Sequence, residues 1–362
     1  MKICAVVGAR PQFVKAFPVS QALRRDHDEV LIHTGQHYDE TMSAVFFSEL
    51  GIPEPDYNLG VGSGTHAHQT AAMMEKLDAV FDEEQPDVVL VYGDTNSTLA
   101  AAMVAAKRDC LLAHVEAGLR SFNREMPEEV NRVLTDHASD LLFAPTETAV
   151  SHLKTEGITD GVHLTGDVMY DAILAVHDRA MAESPILDCL NLSDGEYILA
   201  TIHRPSNTDD PKTLKRIIQT LGDAPLPVVF PAHPRTVARL EEFELLDMAH
   251  NNLRLISPVG YRDLVRLLAG AERVATDSGG IQKEAFFLDT PCVTLREETE
   301  WVETVEAGWN VLVGADPDAI RAGLTHEFAL HMDEKPTPYG DGHAAAKISE
   351  VLSREAPLAV KN

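Results

Sequence analysis

Nowhere in the 362 residues is there a run of the ~18–20 consecutive apolar residues that a membrane-spanning helix takes. The sequence therefore reads as a soluble protein of the cytoplasm, with no membrane partner. Cysteine is scarce. Cys4, Cys110, Cys189 and Cys292 stand far apart, and no Cys-x-x-Cys pair occurs. That excludes a disulfide framework and a cysteine-based structural zinc site, and it fits a reducing compartment. Positive charge is also scarce: 30 Lys and Arg face 57 Asp and Glu, a formal net charge of −27. A chain this acidic lacks the basic footprint that phosphate neutralisation demands, so nucleic acid is not expected as a partner. The acid is spread along the chain and not gathered in a tail. Such a surface repels itself in dilute buffer, and molar salt, with a screening length of ~3 Å, removes that repulsion. The charge points to a salt-loving cytoplasm, against the plainer reading of an ordinary acidic protein. Heptads, low-complexity segments and short-period repeats are absent as well.

What is present is 44% hydrophobic residues in a chain long enough for two packed cores. Residues 1–8 read as a first buried strand running into a glycine turn, not as a signal peptide. Short β-branched runs at 2–7, 30–34, 88–92, 111–115 and 141–144 alternate with amphipathic stretches such as 12–24, 66–81 and 95–106. The rhythm then repeats, with strands expected at 197–202, 228–231, 253–256, 274–276, 292–295 and 311–313. Two such series predict an α/β protein of two doubly wound parallel-sheet domains. Pro185, Asp188, Ser193, Asp194 and Gly195 interrupt the pattern, which puts a hinge within 180–196.

Ligands of open parallel sheets sit beyond the carboxyl ends of the strands, so the polar residues there are the site candidates. The first strand runs into Gly8-Ala9-Arg10-Pro11-Gln12-Phe13-Val14-Lys15, which sets two cations five positions apart. Arg10 and Lys15 suit an anionic substrate, or are solvated cations at an ordinary helix start. After the next candidate strand comes Gly93-Asp94-Thr95, where Asp94 is either a helix cap or a working carboxylate. Glu116 follows the strand after that. Glu128 stands in Pro127-Glu128-Glu129, which also makes a good first helical turn. Together Asp94, Glu116 and Glu128 would gather three carboxylates at one sheet edge, where they shift one another's proton affinity as acid–base work requires.

In the second series, His203 and Arg204 end a strand and could hold a phosphate or move a proton. His233 repeats that strand-end position. Thr276-Asp277-Ser278-Gly279-Gly280-Ile281-Gln282-Lys283-Glu284 is the most specific phosphate signal. Ser278, Gly279 and Gly280 offer amides and a helix N-terminus to a diphosphate, and Glu284 offers a carboxylate to ribose hydroxyls. The glycine-rich segment 60–65 follows no strong strand and lacks a Lys-Ser/Thr ending, so it reads as a mobile loop. His66-Ala67-His68 has no carboxylate or cysteine at ligand spacing, and no metal is expected.

These motifs, taken in order, resemble the non-hydrolysing UDP-N-acetylglucosamine 2-epimerase family over nearly the whole chain. They are Gly8-Ala9-Arg10-Pro11, Gly35-Gln36-His37, Gly93-Asp94-Thr95, His114-Val115-Glu116-Ala117-Gly118-Leu119-Arg120, Pro127-Glu128-Glu129, Asn131-Arg132, His203-Arg204, His233-Pro234, Asp277-Ser278-Gly279-Gly280-Ile281-Gln282 and Pro338-Tyr339-Gly340-Asp341-Gly342. The resemblance implies a GT-B-like fold, with two Rossmann-like domains facing a cleft. It places the first domain at 1–180, joined by the last helix at 344–362, and a UDP-binding domain at 181–343. It implies a homodimer, no cofactor, and interconversion of UDP-GlcNAc and UDP-ManNAc by elimination and re-addition of UDP. Asp94, Glu116, Glu128 and His203 would then surround the sugar and its leaving oxygen. Arg10, Lys15 and His203 would steady the diphosphate, Ser278, Gly279 and Gly280 would give it amides, and Glu284 would hold the ribose.

The sequence departs from the family in three places. His-Arg-x-Glu-Asn becomes His203-Arg204-Pro205-Ser206-Asn207, and Thr-Glu-Arg-Pro-Glu becomes Thr299-Glu300-Trp301-Val302-Glu303. The Gln-His-Arg segment that bacterial members use at a second, allosteric site ends here in Tyr38. Residues 8–16, 282–287 and 299–303 look more like a sister subgroup that epimerises UDP-2,3-diacetamido-2,3-dideoxyglucuronate. Two further classes share the architecture. A GT-B glycosyltransferase would not require the three carboxylates, and a sugar-nucleotide sensor would survive Asp94→Asn.

Overall fold

The computed structural model describes residues 1–36, 54–246, 252–328 and 335–359, with only the backbone given for Arg10 and 356–359. The chain divides into two compact units, Met1–Leu174 with Thr337–Asn362, and Ala175–Pro336. Among the described residues no helix is long and apolar enough to cross a membrane.

The first unit is built on seven parallel strands: β1 (Lys2–Val7), β2 (Asp28–His33), β3 (Tyr57–Asn58), β4 (Val88–Tyr92), β5 (Leu111–Val115), β6 (Leu141–Ala144) and β7 (Val162–Leu164). Their order in the sheet is β3-β2-β1-β4-β5-β6-β7. The second unit has six: β8 (Ile198–Thr201), β9 (Val228–Pro231), β10 (Leu253–Ile256), β11 (Arg273–Thr276), β12 (Cys292–Thr294) and β13 (Asn310–Leu312), ordered β10-β9-β8-β11-β12-β13. Every pairing in both sheets is parallel. In each sheet the order runs outward one way from the first strand and then reverses, which opens a crevice at the carboxyl ends of β1 and β4 and of β8 and β11.

The strands form because their residues bury on both faces. All five residues of β4 are fully enclosed, and Val6 of β1 stands in register with Ile32 on one side and Val91 on the other. Each such side chain contributes about 1.5–3 kcal/mol by leaving water. Helices His66–Glu84 and Asn96–Ala105 cover one face of this sheet through Met73, Leu77, Phe81, Ala101 and Ala105.

Several sequence expectations need correction. β3 and β7, of two and three residues, were not expected, because elements this short carry no hydrophobic period. β3 does precede the 60–65 segment. The expected interruption at 180–196 is partly helical: Val168–Glu183 runs into it and Ile186–Leu190 lies within it. Helix Asn96–Ala105 is capped by Thr95, whose hydroxyl accepts from the Thr98 amide, so Asp94 is not the cap. His233 is a cap, its Nδ1 accepting from the Arg235 amide at the start of helix Pro234–Glu242. His37 and Tyr38 lie outside the described residues.

The chain re-enters the first unit through a crossing of two backbones. Asp167 donates its amide to the Tyr339 carbonyl, and Gly166 and Gly340 pack Cα against Cα with φ of +90° and +89°. A Cβ on Gly166 would stand 2.8 Å from the Tyr339 carbonyl oxygen. Asp171 then accepts from the amides of Ala344 and Ala345, which fixes the start of helix Ala344–Ala359. Gly166→Ala is expected to cost on the order of 1–3 kcal/mol from the strained φ, plus the clash. Gly157→Ala has an equally positive φ but nothing within 4 Å of the added carbon, so it should cost less in urea unfolding.

Candidate active site

The crevice at β1 and β4 gathers the first unit's charged candidates. Gly93 turns the chain out of β4 with φ +60°, and a Cβ there would stand 3.2 Å from Lys15 Nζ and 3.3 Å from Glu116 Oε2. Lys15 Nζ contacts that Glu116 carboxylate directly, and both side chains are largely enclosed. Lys15, expected on a diphosphate, is thus engaged by a carboxylate of its own unit. Glu116 itself adopts φ +72°, a left-handed conformation that costs a non-glycine residue energy. Two amides hold it there, those of Glu116 and Ala117, both donating to the Phe143 carbonyl at 3.1 Å.

Asp94 follows directly. Its Oδ2 accepts from Arg132 at 2.6 Å, and its carbonyl accepts from Asn131 Nδ2. The side chain keeps 31% of its surface open, so the carboxylate is reachable. Burial raises its pKa above the ordinary value. Arg132 and Lys15 oppose that shift, and the charges of Glu116 and Glu128 add to it. A carboxylate with raised proton affinity, beside a second carboxylate salt-bridged to lysine, is the arrangement that general acid–base chemistry uses.

Glu128 is exposed in the first turn of helix Pro127–Ala138. Its buried neighbour Glu129 has a different task. It accepts from the amides of Ser121 and Phe122 and from the Ser121 hydroxyl, and so shapes the loop after Arg120. Arg10 opens helix Arg10–Leu23, and its side chain lies outside the described residues.

The second unit repeats the arrangement at β8 and β11. Asp277, wholly enclosed, is the hub. It accepts from the amides of His203 and Arg204, from Asn207 Nδ2 at 3.0 Å and from His203 Nδ1 at 3.2 Å. Burial alone would raise its pKa, but these donors outweigh burial and hold the carboxyl below the ordinary value. With Nδ1 turned to Asp277, the half-exposed His203 ring presents Nε2 outward. Asn207 also donates to the Leu295 carbonyl, so it ties this turn to β12.

Ser278 caps helix Gly279–Phe287 with its hydroxyl. The two glycines behind it differ in purpose. A Cβ on Gly279 would collide with Glu300 Oε1 at 2.5 Å, whereas one on Gly280 would meet nothing closer than 3.9 Å. The helix N-terminus at Gly280 is therefore open to an anion. Glu284 is nearly enclosed and its Oε1 accepts from the Tyr261 hydroxyl. Trp301, where the resemblance leads us to expect arginine, is buried, and Lys283 Nζ lies 3.9 Å over its ring. A cation thus stands beside this position after all, supplied by a neighbouring helix and held by the ring face.

Sequence reasoning did not single out Arg132, Asp277, Lys283 or the pair His114–Asp136 for roles at the site. All but Asp136 stood within quoted motifs. The signal available for Asp277 was its place directly after a strand at the switch point.

The chain is similar to known proteins over nearly its whole length. The profile of the UDP-N-acetylglucosamine 2-epimerase family matches residues 21–353. A Methanococcus maripaludis protein described as a UDP-N-acetylglucosamine 2-epimerase homolog is 52% identical over 97% of this chain and 99% of its own. The UDP-2,3-diacetamido-2,3-dideoxy-D-glucuronate 2-epimerase of Pseudomonas aeruginosa is 47% identical over 98% of this chain and 100% of its own. The crystal structure of Methanocaldococcus jannaschii UDP-GlcNAc 2-epimerase, in complex with UDP-GlcNAc and UDP, superposes with a TM-score of 0.90 at 42% identity, covering 98% of this chain and 100% of that one. The fold is accordingly GT-B-like, two Rossmann-type α/β units with parallel sheets. With a family profile spanning most of its length and full-length relatives of this identity, the chain belongs to the UDP-N-acetylglucosamine 2-epimerase family.

Proposed function

We propose that the protein interconverts UDP-N-acetylglucosamine and UDP-N-acetylmannosamine by inverting carbon 2. The observation that carries this reading is the carboxylate cluster at the first unit's switch point, Asp94 with raised proton affinity beside the Glu116–Lys15 pair. The hydrogen on carbon 2 is not next to a carbonyl, so its removal needs a leaving group on carbon 1. As the carbon–hydrogen bond breaks, its electrons form the carbon 1–carbon 2 double bond, and UDP departs with the pair from the carbon–oxygen bond. Re-addition of UDP, with a proton delivered to the other face of carbon 2, gives the epimer and balances the equation without a cofactor.

Inversion needs one group to take the proton and another to return it, and Asp94, Glu116 and Glu128 are the three candidates. The second unit, in this reading, holds UDP. Ser278, Gly279 and Gly280 give amides, Glu284 takes the ribose, and His203, oriented by Asp277, and Arg204 steady the charge that grows on the leaving diphosphate. Arg10 joins them in that role. Lys15 serves Glu116.

A second substrate reading rests on Trp301, which stands where the resembled motif has arginine and carries Lys283 over its ring, and on the likeness to the diacetamido-glucuronate enzyme. We also read the enzyme as a homodimer of a salt-rich cytoplasm. The charge of −27 supports the salt. The apolar side chains of Phe122 and Leu134, 72% and 45% exposed, support a partner subunit.

Proton NMR of purified protein with each nucleotide sugar, in molar potassium chloride, is expected to show UDP-GlcNAc converting to the manno epimer. Conversion of the diacetamido-glucuronate nucleotide alone would replace that substrate assignment, and conversion of neither would remove the epimerase reading. Asp94→Asn is expected to lower kcat by ~10²–10⁴ with UDP affinity unchanged. A sensor would be indifferent to it. Asp277→Asn, which lets the His203 ring swing, is expected to lower kcat by about 100-fold, the lower end of what a positioned proton-transfer group contributes.

A further inference from the structure

Behind the Gly93 turn lies a buried chain of ionisable groups that the reaction above does not use. His114, in β5, is fully enclosed. Its Nδ1 stands 2.7 Å from Asp136 Oδ1, and its Nε2 stands 2.7 Å from the Gly93 carbonyl oxygen. Asp136, also enclosed, accepts through Oδ2 from the Gly118 amide at 3.1 Å and from Arg120 at 2.7 Å. Arg120 in turn makes a two-pronged contact with Glu156, Nε to Oε1 at 2.6 Å and Nη2 to Oε2 at 2.8 Å.

A carbonyl oxygen can only accept. So Nε2 carries a hydrogen. Asp136, paired with the always-cationic Arg120, is ionised and offers His114 only an acceptor, so Nδ1 carries a hydrogen too. Burial opposes ionisation of Asp136, but the His114 and Arg120 contacts outweigh it and hold that carboxyl below its ordinary pKa. The group His114, Asp136, Arg120 and Glu156 then sums to zero charge, which is the condition for burying it.

The same four side chains brace three pieces of the candidate site. His114 holds the carbonyl of Gly93, the residue before Asp94. Asp136 holds Gly118, two residues after Glu116, and sits on the helix that carries Glu128 and Arg132.

We infer that His114 is a positioning residue that donates from both ring nitrogens, which fixes the Asp94 and Glu116 turns relative to one another and places a positive charge behind them. Besides Asp136, the charged groups on this side of the unit include Arg120 and Glu156, with His137 against Glu156 at 3.2 Å, Glu128, Glu129 and Arg132 on the helix of Asp136, and, beyond the Gly93 turn, Asp94, Glu116 and Lys15. The inference rests on the epimerase reading for its kinetic consequence but not for the state of the ring.

The state of the ring is tested first. In full-length protein labelled with nitrogen-15 histidine, both His114 ring nitrogens are expected to show one-bond N–H couplings at pH ~8.5, well above the ~6.5 at which a free histidine loses its second proton. The resonances are assigned by their loss in His114→Gln or, if that variant does not fold, by their displacement in Asp136→Asn. A bare nitrogen at that pH overturns the inference.

The kinetic test is the pH profile of kcat for folded His114→Gln. We expect kcat at least ~10-fold lower, UDP affinity within about 2-fold of the parent, and the acidic limb moved to higher pH, because carboxylates that lose a nearby cation hold their protons more tightly. A reduced kcat with the acidic limb in its original place would mean packing alone, and would also overturn it. If the parent protein epimerises neither nucleotide, the functional reading fails, while the ring spectrum, recorded without substrate, still decides the charge.

Discussion

A parallel sheet buried on both faces tolerates charge within its strands only where that charge is fully paired, as His114 is by Asp136, so groups that must meet a substrate stand beyond the strand ends, and that constraint arranges the candidate site. β1, β4 and β5 are apolar along most of their length, and the candidate site residues stand beyond their ends, Asp94 and Glu116 within two residues and Lys15 in the helix that follows β1. The reversal of strand order between β1 and β4, and again between β8 and β11, leaves a crevice that connecting helices do not fill. Each unit exploits it with one sharp turn, Gly93 in the first and Asp277-Ser278-Gly279 in the second. Short loops then feed directly into helices, so these side chains stand on rigid supports.

Electrostatics divides the buried carboxylates into two kinds. Asp136 and Asp277 are each surrounded by donors, sit below the ordinary pKa, and hold other groups in place. Asp94 has one strong donor in Arg132, carboxylate neighbours in Glu116 and Glu128, an open edge, and a pKa pushed up. The residue type is the same, but the number of N–H groups aimed at it differs, and that difference separates a brace from a group able to exchange a proton. The left-handed backbone at Glu116 belongs to the same economy of position: its strain is held by the Phe143 carbonyl and by the packing of Gly118 against helix Glu147–Thr155.

Much of this was legible in the order of residues. Strands that bury on both faces write themselves as unbroken apolar runs, and β1, β4 and β5 were bounded almost to the residue. Asp94, Glu116 and Ser278-Gly279-Gly280 were marked by standing just after such runs. The remainder depends on contacts between distant segments, which no local pattern encodes. β3 pairs through two residues. Asp136 meets His114 across 22 positions, Asp277 meets His203 across 74, and Lys283 finds the Trp301 ring only once both helices are placed. Asp94 could be read as a cap until the structure gave that task to Thr95.

The central claim is that carbon 2 is inverted through cleavage of the bond between carbon 1 and the diphosphate, with protons handled by first-unit carboxylates. It is tested most directly with UDP-GlcNAc carrying oxygen-18 in the bridge between carbon 1 and the β-phosphorus, incubated in deuterated water. The account predicts that the manno product carries one solvent deuterium at carbon 2, and that the label spreads from the bridge into the other β-phosphate oxygens, because the freed UDP rotates before it adds back. Deuterium at carbon 2 with the label still wholly in the bridge would contradict it, since the proton would then have been exchanged without UDP ever leaving.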